Sequence, residues 1–306
     1  MIKKGLALLI VLVLLMLITV PLFYTDEQHE LDAHSRTGTQ GEYIELSQGV
    51  THYQQANTGA QEVVLLVHGF SVPYYIWDPT YDFLTKQGFR VIRFDLYGRG
   101  YSDRPDVDYT QEIFDRQILD LLDGLKIKQP INLVGLSMGG AIVAKFVADH
   151  PEKVDKTIFV DPSHRSFYKR KLGIPLFGDF FAAVFMMPNA AEGQLSDFYY
   201  PENFPDWVEK YKTQMQYKGF RRAIVSTLVH FAKPDKLPWY QRIGELNKEV
   251  LLIWGREDKT LPLADSHRVA EALKTTTFVV DKSGHLPHLE HPKIVNAKIL
   301  SFLRNL

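Results

Sequence analysis

The sequence predicts an α/β fold, with a mostly parallel eight-stranded sheet flanked by helices and an inserted helical cap. Three observations support this prediction. Short β-branched runs alternate with longer amphipathic runs from Tyr43 onward, as in layered α/β proteins. Several strand candidates, such as V-V-L-L-V at 63–67, are apolar without alternation, which is typical of strands buried on both faces. The interval from Asp161 to Glu249 is also far longer than one crossover connection needs.

An uncharged apolar segment precedes this domain. From Leu6 to Tyr24 the chain has no charged residue, and a helix over this stretch would be about 28 Å long, close to the hydrocarbon thickness of a bilayer. We therefore predict that residues 1–24 form a transmembrane anchor. A cleaved signal peptide remains the alternative, because its charged start and apolar middle look alike.

Charges on either side of the segment indicate its orientation. Lys3 and Lys4 precede the apolar run and acidic residues follow it, so the positive-inside rule places the N-terminus in the cytoplasm. The domain is then exported under either alternative. We expect it on the periplasmic or extracellular side, anchored to the membrane or secreted.

A polar linker and one domain are predicted after this segment. Residues 25–41 have no apolar periodicity, which favours a linker that lifts the domain off the membrane. The domain covers residues 42–306. Its predicted strands are Tyr43–Leu46, Val50–Gln54, Val63–Val67, Arg90–Phe94, Ile131–Gly135, Lys156–Val160, Val250–Trp254 and Thr277–Asp281, and its clearest helices are Thr110–Leu125, Met138–His150 and Pro292–Leu303.

The long interval before Glu249 predicts the cap, at about residues 163–237. It contains helical patterns at Asp206–Lys218 and Phe220–Phe231, and an apolar run at Ile174–Met187. We expect these helices to cover the carboxyl edge of the sheet, where ligands bind in such folds.

Composition excludes several functional classes. The chain has 35 Lys+Arg and 36 Asp+Glu, a net charge of −1, whereas a surface that binds nucleic acid needs an excess of cations. Cysteine is absent, which excludes disulfides, zinc–thiolate sites, iron–sulfur clusters and cysteine nucleophiles.

The strongest chemical signal is the pentapeptide G-L-S-M-G at 135–139, between a predicted strand and a predicted helix. A G-x-S-x-G sequence places its serine on a sharp strand-to-helix turn, with the hydroxyl exposed at the edge of the sheet. The pentapeptide also occurs by chance, but the strand–turn–helix context that it requires is present here. The sequence therefore predicts Ser137 as a nucleophile.

A serine nucleophile needs a base, and the base needs an acid that orients it. Asp258 lies in the segment that directly follows one predicted strand, and His285 follows the last one. Carboxyl ends of parallel strands meet at one edge, so both side chains are expected near Ser137. The chain order Ser, Asp, His is that of the α/β-hydrolases and differs from the orders of chymotrypsin and subtilisin.

Other residues compete for the acid and base positions. Asp161 ends the strand before the cap and is an alternative acid, and Glu257 is adjacent to Asp258. His288 and His291 lie close to His285 but do not follow the glycine at the strand end. We expect structural roles for both histidines.

Four further motifs carry a resemblance to a known family. They are H-G-F at 68–70, D-L-Y-G-R-G-Y-S at 95–102, G-R-E-D at 255–258 and G-H at 284–285. From Tyr43 to Leu306 the chain resembles the α/β-hydrolases that carry a helical cap, and the cap matches less specifically than the rest.

This resemblance implies a mechanism. Ser137 attacks an acyl carbonyl, His285 accepts its proton and Asp258 orients the imidazole. The backbone N–H groups of Phe70 and Met138 are expected to form the oxyanion hole. No metal ion and no organic cofactor is implied.

The resemblance also narrows the reaction. Serine at 137 excludes the haloalkane dehalogenase and epoxide hydrolase branches, which use aspartate there, and Leu136 stands where carbon–carbon bond hydrolases often carry asparagine. We therefore expect a carboxylic ester hydrolase. Alternatives are an acyltransferase, a cofactor-free perhydrolase or haloperoxidase-like enzyme, and a catalytically silent binding module.

The apolar run in the cap indicates the substrate. Phe177, Phe181 and Phe185 are candidates for an acyl-binding wall or a surface that touches a bilayer, although cap–core packing would also explain them. Together with the anchor, the run resembles membrane-tethered monoacylglycerol lipase-like enzymes. It predicts lipid-like or medium-chain acyl esters, such as monoacylglycerols, as substrates and the membrane as a partner. The sequence indicates no protein partner.

Overall fold

The computed structural model describes residues 2–306, and at its centre is one sheet of eight strands. In chain order the strands are β1 (Glu42–Leu46), β2 (Gly49–Ala56), β3 (Val63–Val67), β4 (Arg90–Phe94), β5 (Ile131–Leu136), β6 (Val154–Val160), β7 (Glu249–Gly255) and β8 (Thr277–Val280). Their spatial order is β1-β2-β4-β3-β5-β6-β7-β8. The pairs β1–β2 and β2–β4 are antiparallel and all other neighbours are parallel. The predicted fold class is confirmed.

The apolar strands separate two hydrophobic cores. In β3, Val63, Leu65 and Val67 contact the cluster on one face of the sheet, whereas Val64 and Leu66 contact the cluster on the other face. Side chains alternate between the faces of a strand. A run without polar residues is therefore what a strand between two cores requires.

The helices flank the sheet, form the cap or, in the case of the first helix, precede the domain. They are α1 (Ile2–Phe23), α2 (Asp78–Lys86), α3 (Gln111–Gly124), α4 (Met138–Asp149), α5 (Phe177–Phe181), α6 (Ala190–Gly193), α7 (Trp207–Met215), α8 (Phe220–Ser226), α9 (Leu237–Glu245), α10 (Ser266–Leu273), α11 (Pro287–Glu290) and α12 (Pro292–Leu303). α3, α4, α9 and α10 contribute to one core, and α2, α11 and α12 contribute to the other.

The order in which the chain adds strands to the sheet reverses at β3. From β3 the chain continues to β4 on one side, and β5 then pairs with the other side of β3. Such a switch point leaves a crevice at the carboxyl ends of the two strands, where α/β proteins bind ligands. The loops that follow β3 and β5 therefore lie at the mouth of this crevice.

The cap is built from the short helices α5 to α8 and two π-helical turns, at Ala182–Met186 and Thr227–Phe231. The run predicted as one helix over Phe220–Phe231 divides into α8 and the second of these turns. Gly219, with φ of +89°, begins α8 in a conformation that glycine adopts easily.

The polar segment at residues 25–41 is folded against the domain, whereas the sequence favours a linker that lifts the domain away from the membrane. The Glu27 carboxylate accepts the backbone N–H groups of Gly219 and Arg221 in the cap. Further along, Arg36 pairs with Asp103 in the loop that follows β4. Partners distant in sequence hold this segment, and local composition gives no sign of them.

Candidate active site

Ser137 lies on the turn from β5 to α4, with φ of 53° and ψ of −116°. Positive φ is uncommon for a residue with a side chain, so the surrounding structure must hold this conformation. Glycine at 139 makes the turn possible. A Cβ atom at Gly139 would lie 2.4 Å from the carbonyl oxygen of Val67 and 2.3 Å from that of His68, and neither backbone group can move away easily.

The predicted acid and base are in contact. Asp258 follows β7, and its Oδ2 lies 2.7 Å from Nδ1 of His285, with both side chains buried. Oδ1 of Asp258 accepts the backbone N–H groups of Thr260 and Leu261, both at 2.8 Å. These bonds fix the carboxylate, and the carboxylate in turn fixes the imidazole ring.

Ser137 and His285 line the same cavity. Within residues 2–306 the Ser137 hydroxyl makes no hydrogen bond to the ring. Such bonds are often long before substrate binds and tighten in the reactive complex. The arrangement brings together all three residues that the sequence predicts for the catalytic triad.

The environment favours a protonated His285. Burial alone lowers the pKa of an imidazole, but the Asp258 carboxylate and its hydrogen bond outweigh burial, so the pKa of His285 is raised. A general base must be neutral. Any reaction that uses His285 as a base should therefore slow as the pH falls through a value above the ordinary histidine pKa.

The competing residues have other partners. The Glu257 carboxylate accepts the N–H of Ser283, and so braces the loop before His285. His288 Nε2 contacts the carbonyl of Ile76, and burial lowers the pKa of His288 to about 3. Asp161, the alternative acid, is buried beside Asp258, and Asp258 contacts the base.

The sequence predicts that the backbone N–H groups of Phe70 and Met138 form the oxyanion hole. Among residues 2–306, neither Phe70 nor Met138 donates its amide hydrogen to another group. The carbonyl of Phe70 accepts a hydrogen bond from Nε of the buried Arg99 at 2.8 Å. Another nitrogen of Arg99 donates a hydrogen bond to the Thr227 hydroxyl in the cap. Arg99 thereby connects the loop that contains Phe70 to the cap.

His68 holds the same loop through a hydrogen bond of its side chain. Its Nε2 accepts the N–H of Leu96 at 2.9 Å, and burial lowers the pKa of His68 to about 4. A neutral imidazole can act as such an acceptor. His68 thus shapes the loop, as its position before the G-F dipeptide indicates.

The catalytic cavity has a volume of about 120 Å³. It is lined by Gly69, Phe70, Ser71, Val72, Ile76, Leu136, Ser137, Gln194, Asp197, Thr260, His285 and Leu286. The lining residues that the structure describes do not include Phe177, Phe181 or Phe185, which the sequence proposes as a substrate-binding wall. Phe181 stacks on Phe177, with ring centroids 6.1 Å apart, and contacts the tilted ring of Phe185 at 5.3 Å.

Asp197 is a cap residue of this cavity that no sequence motif reveals. Its carbonyl accepts the N–H of His285 at 2.7 Å, and its carboxylate accepts the Thr260 hydroxyl at 2.6 Å. Burial raises the pKa of the Asp197 carboxyl. Only the folding of the cap brings Asp197 next to His285.

Comparison with known proteins gives a consistent result. A family model described as alpha/beta hydrolase fold matches residues 62–292. The chain is 28% identical over 285 residues to a 2-hydroxy-6-oxononadienedioate/2-hydroxy-6-oxononatrienedioate hydrolase of Paraburkholderia phymatum, covering 88% of this chain and 97% of that protein.

Solved structures share the fold. An esterase from Thermogutta terrifontis has a TM-score of 0.73 and 24% identity, over 87% of this chain and 99% of that one. An enol-lactonase from Burkholderia xenovorans LB400 has a TM-score of 0.74 and 22% identity, over 86% of this chain and 100% of that one.

Proposed function

Because the chain belongs to the α/β-hydrolase fold family, we propose that this hydrolase is a serine enzyme that cleaves uncharged carboxylic esters. One observation carries the proposal: the buried pair of His285 and Asp258, 2.7 Å apart, borders the cavity that Ser137 lines. A serine, a base and an orienting acid around one cavity are what acyl transfer to serine requires.

The mechanism follows from these positions. His285 removes the hydroxyl proton of Ser137 as Oγ attacks the ester carbonyl, and the N–H groups of Phe70 and Met138 stabilise the oxyanion. The protonated His285 then gives its proton to the leaving alcohol, which breaks the ester bond. Water, deprotonated by His285, attacks the acyl-enzyme and releases the acid.

A carbon–carbon bond hydrolase is the second candidate, because the Paraburkholderia relative is named for that reaction class. The substrate in its name carries two carboxylates. Within residues 2–306, neither lysine nor arginine lines the catalytic cavity, and Asp197 adds a carboxyl group there. A dicarboxylate would be buried without a counter-charge, which is costly. The lining therefore favours an uncharged ester.

The cavity also limits the acyl group. Sites that enclose a whole drug-sized ligand have volumes of about 300–1,000 Å³, whereas this one has about 120 Å³. We therefore propose esters with short to medium acyl chains, including monoacylglycerols, whose alcohol portion extends beyond the cavity or displaces the cap.

A substrate panel tests this proposal. Full-length protein in detergent micelles should hydrolyse p-nitrophenyl butyrate and octanoate faster than the palmitate ester, and it should leave 2-hydroxy-6-oxononadienedioate intact. Faster cleavage of the dienedioate would support the carbon–carbon hydrolase. Transfer products that dominate over the free acid in the presence of added glycerol would support an acyltransferase.

We also propose that α1 anchors the enzyme in a membrane, with the domain on the extracytoplasmic side. An 18-residue window within Lys3–Phe23 has a mean hydropathy of 3.1, and most apolar side chains of α1 are exposed. The shielded positions, such as Pro21, are near its C-terminal end, where α1 contacts α5 and the π-helical turn Ala182–Met186.

The cap surface beside α1 has the composition of a bilayer contact. Ile174, Leu176 and Phe185 are 48%, 43% and 56% exposed, and the cations at 169–171 precede them. Exposed apolar groups flanked by lysine and arginine suit an interface of acyl chains and anionic headgroups. This accounts for the phenylalanines that lie outside the catalytic cavity.

A tryptophan placed in this surface reports the contact. We expect brominated acyl chains in anionic vesicles to quench the fluorescence of reconstituted full-length Phe185→Trp. The matched control is Ile294→Trp on α12, because Ile294 is 52% exposed. Equal quenching of the two variants would contradict the proposed orientation.

A further inference from the structure

We infer that Asp161 is a neutral carboxylic acid that donates a hydrogen bond to the Asp258 carboxylate, and that it thereby sets how strongly Asp258 attracts the proton on His285. The inference rests on the proposed triad and adds a fourth, positioning residue to it. Asp161 contacts the acid and not the substrate, because it does not line the catalytic cavity as the structure describes it.

The geometry places two acids and one base in a buried group. Asp161 follows β6 and is fully buried. A carboxylate oxygen of Asp161, one of Asp258 and a ring nitrogen of His285 all lie within 4.8 Å of one another. Two carboxylates this close in a buried site cannot both be ionised without a large repulsion. One of them therefore holds a proton.

Hydrogen-bond donors identify which acid is neutral. Asp258 accepts three donors: the N–H groups of Thr260 and Leu261, and Nδ1 of His285. Asp161 accepts one, the N–H of Gly255, at 2.9 Å on Oδ1. Donors stabilise the ionised form. The proton therefore belongs on Asp161.

An unpaired atom agrees with this assignment. Oδ2 of Asp161 is buried and has no partner within residues 2–306. A buried acceptor left without a donor is costly, whereas a protonated Oδ2 becomes a donor with the Asp258 carboxylate beside it. Burial and the neighbouring Asp258 charge both raise the pKa of the Asp161 carboxyl well above its ordinary value.

The hydrogen bond from Asp161 to Asp258 affects the base, His285. A donor on the Asp258 carboxylate spreads its charge and weakens its pull on the His285 proton, so the imidazole is neutral at a lower pH than it would otherwise be. Other titratable groups near the pair are Asp197 from the cap, and Glu290 and His288 from α11. They remain in place when Asp161 alone is changed.

Two substitutions separate the possible roles of Asp161. In Asp161→Asn, the amide oxygen can still accept from Gly255 and the NH₂ group can still donate to Asp258. Asp161→Gly removes the side chain and suits the backbone, whose φ is +42°. Asp155→Asn is the control, because Asp155 is an exposed acid on the same strand.

The measurement is the acid limb of the pH profile of kcat/KM for p-nitrophenyl butyrate, with full-length protein in micelles. We expect Asp161→Asn and Asp155→Asn to keep the wild-type limb. Asp161→Gly should move it to higher pH by about one unit, the order of one hydrogen bond to a charged group.

Other outcomes overturn the inference. If Asp161 were ionised, Asp161→Asn would remove a negative charge and move the limb to lower pH. If Asp161 only supported the fold, neither variant would move the limb, although both could lower the melting temperature.

A second readout does not need ester hydrolysis. The pKa of His285 can be followed by NMR of histidine-labelled protein, with its signal assigned by loss in His285→Gln, and it should change in the same way across the variants. A wild-type protein that hydrolyses no ester would refute the proposed function, while the NMR titrations would still test Asp161.

Discussion

Ser137→Ala is expected to lower kcat/KM for ester hydrolysis by about 10⁵-fold or more, the scale seen when a serine hydrolase loses its nucleophile. The variant cannot form the acyl-enzyme, because no other hydroxyl occupies the strained turn between β5 and α4 as the structure describes it. Alanine keeps the Cβ atom, so the fold should persist.

Labelling with a fluorophosphonate probe gives the same test without a chosen substrate. Wild-type protein should take up one probe at position 137 and Ser137→Ala none. Ser163→Ala is a matched control, because the backbone N–H of Ser163 donates to the carbonyl of Ser137 and the Ser163 hydroxyl has no partner within residues 2–306. A labelled Ser137→Ala protein, or an unlabelled wild type, would contradict the assigned nucleophile.

Asp258→Asn should lower kcat/KM by about 10⁴-fold at neutral pH, because an amide can hold the ring of His285 in the wrong tautomer and cannot stabilise the imidazolium. The charge that raises the pKa of His285 is also lost. The remaining activity should therefore have its acid limb at a lower pH than the wild type has.

Glu257→Gln is the matched control for this experiment, because it removes the adjacent carboxylate. Glutamine can still accept the N–H of Ser283, the bond that Glu257 makes in the structure. Its activity should stay close to the wild-type value. A larger loss from Glu257→Gln than from Asp258→Asn would reassign the acid.

Features fixed by local pattern are predictable from this sequence. β3 has the predicted bounds, because an apolar run between Glu62 and His68 determines a buried strand. Ser137, Asp258 and His285 are identifiable because each lies in the loop or turn that follows a strand, and parallel strands place the segments that follow them at one edge of the sheet. The parallel direction of the strands is thus enough to bring together residues that are far apart in sequence.

Features that depend on tertiary contact were not predictable. Asp197 reaches His285 only because the cap folds over the sheet, and the cap carries no motif. The cluster around Phe181 is apolar in sequence whether it faces a substrate, the core or lipid, and composition does not distinguish these environments. The relation between Asp161 and Asp258 likewise needs side-chain distances, so the sequence can present the two only as rivals.

The folded segment at residues 25–41 has a further consequence if α1 spans a bilayer. Its contacts with Gly219 in the cap and with Asp103 in the loop after β4 hold the segment against the domain, which restricts the height and tilt of the cavity above the lipid. Such an enzyme encounters its substrate by lateral diffusion in two dimensions. The cavity loses most of its orientational freedom relative to the membrane when the protein folds. This entropy is therefore not lost again each time a substrate is encountered. Its rate should then follow the surface density of the ester in the leaflet more closely than its bulk concentration.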